Sequence, residues 1–174
     1  MITVISGTIR PNNKTSLVAK HYVNVLKSKG QEVEFLNIED LPKDFVFNND
    51  TMGTKNPEFS HFVEKYIIPA DKYVILTPEY NGSFPGALKA FFDGVSPDDF
   101  REKKVALVGV AAGRSGNARG MDQLVSIYNY TNMPVLPYKV TMPAIYALMN
   151  EEGVITDEKM AETIEKQIDQ FIAF

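Results

Sequence analysis

The sequence contains no cysteine. That absence excludes disulfides, thiol nucleophiles and cysteine-ligated zinc or iron–sulfur centres. Histidine is nearly as scarce: His21 and His61 are the only two, far apart on predicted helices, with no carboxylate cluster beside either. A metal site is therefore not expected, and both are read as solvated or partly buried helix positions. No apolar run approaches the length of a bilayer span. Strand character starts at Ile2, which leaves no room for a signal peptide, so a cytoplasmic protein is expected. A basic surplus is missing too: 18 lysines and arginines against 22 aspartates and glutamates give a formal charge of −4. Nucleic-acid binding is not expected on that balance. The acidity is also too mild for a dedicated electron carrier that docks on basic partners.

What the chain does have is enough apolar material for one sizeable core. Its 174 residues, 44% hydrophobic and 23% charged, predict a single domain over residues 1–174. Neither a repeat nor a low-complexity tract or linker interrupts it. Ile2-Thr3-Val4-Ile5 reads as a strand covered on both faces. Leu17, Val18, Tyr22, Val25 and Leu26 recur at helical spacing after it, and Gly30 is placed to end that helix. Strand two is Val33-Glu34-Phe35-Leu36-Asn37. Residues 41–56 form a polar segment in which Phe45 and Phe47 either pack on the core or face a partner subunit. A helix over 57–68 leads to a third strand, Tyr73-Val74-Ile75-Leu76, and a helix from Leu88 turns Phe91 and Phe92 inward. Strand four covers 105–110 and a helix covers 121–130. Strand five, 135–140, contains Pro137, which confines it to a sheet edge or bulge. The last helix spans 157–172, with Thr156 as its expected cap.

Strands alternating with helices imply a parallel sheet covered on both faces. Three unusual loops then choose between strand orders. The first, Ser6-Gly7-Thr8-Ile9-Arg10-Pro11-Asn12-Asn13-Lys14-Thr15-Ser16, follows strand one; Thr77-Pro78-Glu79-Tyr80-Asn81-Gly82-Ser83-Phe84-Pro85-Gly86 follows strand three; a glycine–arginine loop over 111–120 follows strand four. A dinucleotide-binding sheet wants Gly-x-Gly-x-x-Gly after strand one, which is absent. In the flavodoxin-like order 2-1-3-4-5 the winding reverses between strands one and three, so the first two loops flank the crevice. That five-stranded, three-layer α/β sandwich is the fold expected.

The first loop has the inventory of an anion site. Amides at a helix start carry partial positive charge, Thr8, Asn13, Thr15 and Ser16 add donors, and Arg10 adds a forked cation. This suits a phosphate monoester; the alternative, that Thr15 and Ser16 merely cap a helix, does not account for Arg10. No nucleoside-triphosphate loop is present. In the second loop, prolines and glycines fix a turn around a carboxylate, a phenol and an amide, the means to grip a planar group. Phosphate and plane together describe a mononucleotide, and flavin mononucleotide (FMN) fits.

Gly7-Thr8-x-Arg10 with Thr15-Ser16, then Thr77-Pro78-Glu79-Tyr80-Asn81-Gly82-Ser83-x-Pro85-Gly86-x-Leu88-Lys89 and Asp93, resembles the NAD(P)H-dependent FMN reductase family, which includes quinone, azo-dye and chromate reductases. The resemblance covers nearly the whole chain in order. It implies bound FMN, NAD(P)H as co-substrate, hydride transfer to a small acceptor with ping-pong kinetics, and homodimers or dimers of dimers. By matching positions, Thr8, Arg10, Asn13, Thr15 and Ser16 hold the phosphate, Pro78, Glu79, Tyr80, Asn81, Gly82 and Ser83 line the flavin, and Gly113 closes its other side. Arg114 and Arg119 are candidates for steering the dinucleotide, or else solvated helix-start residues. Glu79 is read as a structural or interface residue rather than a general acid. Thr8 and Asn13 stand where the family often carries serine, and Gly94 where tryptophan commonly follows the aspartate. Two other classes stay open: a flavodoxin-type carrier, whose tighter Thr/Ser-x-Thr-Gly-x-Thr loop is missing, and a ligand-sensing module.

Overall fold

The computed structural model describes residues 1–47 and 56–174. Five parallel strands, β1 (Ile2–Ser6), β2 (Val33–Asn37), β3 (Lys72–Pro78), β4 (Lys104–Val110) and β5 (Val140–Met142), pair in the order β2-β1-β3-β4-β5. The flavodoxin-like arrangement expected from the loops is the one found. Because side chains alternate along a strand, each central strand feeds two cores. Val74, Leu76, Ala106 and Val108 face one with α1 (Lys14–Ser28) and α7 (Glu158–Ala173). Tyr73, Ile75, Val105 and Leu107 face the other with α2 (Pro57–Phe62), α3 (Gly86–Asp93) and α5 (Ala118–Tyr130).

Local chemistry sets the element ends. Asn13 caps α1, Asn56 caps α2 ahead of Pro57, and Gly30, at φ +75°, takes the left-handed position past the end of α1. The helix over 57–68 is α2 followed by a widened π-helical turn at Val63–Ile67. Two short helices, α4 (Pro97–Phe100) and α6 (Ile145–Leu148), add to the expected set. The cap of α7 is Asp157 rather than Thr156: its Oδ1 accepts from the Met160 amide at 2.8 Å. Phe45 is buried and stacks on Phe59, whereas Phe47 is exposed; residues 48–55 of that segment lie outside the described residues.

Strand five differs most from expectation. Leu136 still donates to the Val105 carbonyl at 2.7 Å, but the ladder then breaks around Pro137 and resumes only at Val140. Proline has no N–H to continue it. Gln167 of α7, wholly buried, fills the gap: its Nε2 donates to Leu107 O and Tyr138 O at 3.0 and 2.9 Å, and its Oε1 accepts from the Tyr22 hydroxyl. A side-chain amide replaces the missing backbone bonds.

Candidate functional site

The loop leaving β3 closes into a tight hairpin because Asn81 and Gly82 both take left-handed φ, +52° and +78°. Asn-Gly is the pair that tolerates this at least cost, and it gives a two-residue turn. Tyr80 and Ser83 exchange both backbone hydrogen bonds across it, at 2.8 and 3.0 Å. The Asn81 and Gly82 amides find no acceptor among the described residues, and no atom lies within 4 Å of where a Gly82 side chain would start. Behind the turn, the Glu79 amide donates to Val110 O at 3.1 Å and the Glu79 carboxylate accepts from the Ser115 hydroxyl. Ser83 Oγ donates to Gln123 at 2.5 Å.

The loop leaving β1 meets this turn directly. Thr8 is wholly buried, and its hydroxyl lies 2.7 Å from that of Tyr80, 72 residues away. It also accepts from the Arg10 amide at 3.2 Å. Gly7 permits the approach: a Cβ there would stand 2.7 Å from Leu76 O. Asn13 acts locally, its Oδ1 accepting from Ser16 N at 2.7 Å and its Nδ2 donating to Arg10 O at 2.7 Å. Ser16 Oγ returns a bond to Asn13 O, and Thr15 is buried. This leaves the Lys14 and Thr15 amides at the positive end of a 15-residue helix without intrahelical partners. Arg10 is exposed beside them, with no ion pair among the described residues.

The third loop runs alongside. Gly113 is exposed with open space at its α-carbon, and its carbonyl accepts from Ala144 N at 2.9 Å. Arg114 and Arg119 are exposed, and no hydrogen bond among the described residues ties either to the first loop. Asn117, Ser115 and Gln123 were not singled out by sequence. Asn117 is wholly buried in the left-handed region, φ 61°, and its Nδ2 donates to Thr77 O and Pro78 O at 3.1 and 2.8 Å. The one hint in sequence was the Gly-Asn pair ahead of a helix, which marks a turn but not its partner.

Thus Thr8, Arg10, Tyr80 and the Asn81-Gly82 amides gather at the carboxyl end of β1 and β3, where the chain winding reverses. The donor set fits FMN: unpartnered helix-start amides and a cation for a phosphate, two unpartnered turn amides for a ring edge, and open space at Gly82 and Gly113 for a plane. Outside this region, a cavity of ≈ 950 Å³ opens between the helices on one face, lined by Phe92, Gly94, Phe100, Tyr128 and Tyr130 among others.

Comparison with known proteins gives the family. Residues 1–147 match the NADPH-dependent FMN reductase family, and the chain belongs to it. It is an oxidoreductase of that family. Among its relatives is the NAD(P)H-dependent FMN reductase PA1204 of Pseudomonas aeruginosa, 27% identical over 168 residues, 94% of this chain and 89% of that protein. An NADPH azoreductase from Bacillus sp. strain OY1-2 is 28% identical over 152 residues, 87% and 82% of the two chains. In fold, the chain resembles FerB, a flavoenzyme NAD(P)H:(acceptor) oxidoreductase from Paracoccus denitrificans, with TM-score 0.82 and 22% identity over 99% of this chain and 94% of that one. A flavodoxin from Pseudomonas aeruginosa superposes less well, at TM-score 0.60 with 16% identity over 99% and 96%.

Proposed function

We propose that the protein is an FMN-dependent NAD(P)H oxidoreductase that reduces a small acceptor such as a quinone, an azo compound or free flavin. The observation that carries this is the 2.7 Å contact between Thr8 and Tyr80, which makes one cleft of two loops far apart in sequence. The Lys14 and Thr15 amides, Arg10, Thr8, Thr15 and Ser16 would hold the phosphate, with Asn13 fixing the loop as the helix cap. Pro78, Glu79, Tyr80, Asn81, Gly82 and Ser83 would hold one edge of the ring, and Gly113 would leave room at the other. When bound, FMN supplies a hydride carrier between the nicotinamide and the acceptor, and the protein contributes position and electrostatics. No side chain is needed as an acid or base. Both substrates use the one open side of the cleft in turn, which gives ping-pong kinetics. The exposed Arg114 and Arg119 would draw in the anionic dinucleotide.

We further read the protein as a cytoplasmic homodimer. No helix among the described residues is long and apolar enough to cross a membrane. Tyr130 and Ile68, 90% and 51% exposed, border the aromatic-lined cavity. A second copy offers the same exposed side chains to the same groove, the self-complementary relation that a two-fold interface requires.

The test of the activity is direct. The purified protein is expected to be yellow and to consume NADPH rapidly once a quinone is added. Colour without turnover would select the electron-carrier reading, and a protein that takes up no FMN would end the flavin reading.

A further inference from the structure

We infer that Asn117 is a positioning residue: its carboxamide fixes the spacing between the turn at 78–83 and the loop after β4, and so the shape of the cleft between them. This rests on the reading that the cleft receives the flavin ring. An asparagine at the head of a helix ordinarily caps it by accepting from an amide of the first turn. Asn117 heads α5 but accepts from none of those amides. Its Nδ2 instead reaches the last two carbonyls of β3, Thr77 O at 3.1 Å and Pro78 O at 2.8 Å. These are the last two residues of β3, paired with Gly109 and Val110 of β4, so the amide ties the head of α5 to the strand end where the turn begins.

The other side of the same amide presses on Gly120. A Cβ at Gly120 would stand 2.3 Å from Asn117 Oδ1 and 2.8 Å from the Phe84 amide nitrogen. The first turn of α5 is therefore seated against the far end of the turn at Phe84, while Asn117 holds its near end at Pro78. Between them, Ser115 holds Glu79. The loop itself has no slack, because a Cβ at Gly109 would lie 2.1 Å from Gly116 O. The two walls of the cleft are thus one body, and a ligand enters without the cost of ordering them.

Stability alone does not account for this asparagine. Its Oδ1 is buried without a partner among the described residues, and its φ is one that glycine adopts more easily. Glycine would relieve both while removing the grip on Thr77 and Pro78, which separates positioning from folding. For Asn117→Gly we expect apo-protein melting within about 4 °C of wild type. Amide hydrogen exchange over residues 77–84 of the apo-protein should quicken. The FMN dissociation constant should rise about tenfold or more, the loss of one good charge-free contact or more. The visible circular dichroism of the bound flavin should change as well.

Unchanged exchange over 77–84 would overturn the clamp whatever FMN does. Faster exchange with unchanged FMN affinity and dichroism would overturn the positioning role. If wild type takes up no FMN, the flavin reading falls first and this inference falls with it. If Asn117→Gly does not fold, Gly120→Ala, which displaces the same amide, is expected to weaken FMN by a similar factor; normal affinity in that variant would overturn the inference.

Discussion

Arg10 carries a charge that the fold leaves without use. It is exposed and has no ion pair among the described residues, yet it sits next to the unpartnered amides at the start of α1. Arg10→Ala is therefore expected to leave the melting temperature of the apo-protein unchanged and to weaken FMN by about one to two orders of magnitude, since a charge-assisted bond contributes roughly 1.5–3 kcal/mol. Fluorescence titration measures this; equal affinity would remove Arg10 from the phosphate site. At this scale the sequence showed which residue types gather in the loops but not how each is used. Asn13 was expected among the phosphate donors, and only the geometry shows its side chain capping Ser16 N and bracing Arg10 O. Asn117 was not legible, because its partners Thr77 and Pro78 lie about 40 residues away and are backbone atoms, which leave no signature in sequence.

Elements were legible wherever periodicity was strong. The three central strands, β1, β3 and β4, and α1 lie where apolar runs and helical spacing put them, because burial on both faces demands near-continuous apolar runs. The edge was harder to read. Pro137 correctly placed strand five at a margin, but the break in its ladder depends on Gln167, which lies 30 residues later in a helix. Gln167→Leu leaves the Tyr22 hydroxyl and two carbonyls without this partner, at about 1–3 kcal/mol each by the usual cost of a buried unpaired group. Urea unfolding is expected to show a loss of about 3 kcal/mol or more in total, and a change below about 1 kcal/mol would contradict the bridging role. The packing of α1 also predicts a pH effect. Burial lowers the pKa of His21 from 6.5, with Glu165 opposing in part. The folded chain thus resists the proton that the unfolded chain accepts. This contribution is intact above the unfolded pKa and is lost as pH falls below about 6.5 toward the folded value. His21→Gln should flatten that part of the stability profile between about pH 7 and 5. An unaltered profile would place the acid sensitivity elsewhere.

The molecule as a whole was the most legible scale, because strand order follows from where the unusual loops fall. Loops after β1 and β3 can share a crevice only if those strands are neighbours, and they are. What sequence left open was the surface between molecules. Gly94, where the family commonly has tryptophan, lies in the wall of the ≈ 950 Å³ groove bordered by Tyr130. If the proposed homodimer forms through this groove, Tyr130→Arg is expected to convert it into a monomer in sedimentation velocity; a dimer that persists would move the interface to another face, and a monomeric wild type would remove the dimer proposal. The central claim concerns the cleft itself, and a crystal structure of the protein with FMN tests it most directly. The account predicts the phosphate against the Lys14 and Thr15 amides with Arg10 beside it, and the ring edge against Asn81 and Gly82. FMN bound anywhere other than the carboxyl ends of β1 and β3 would contradict it.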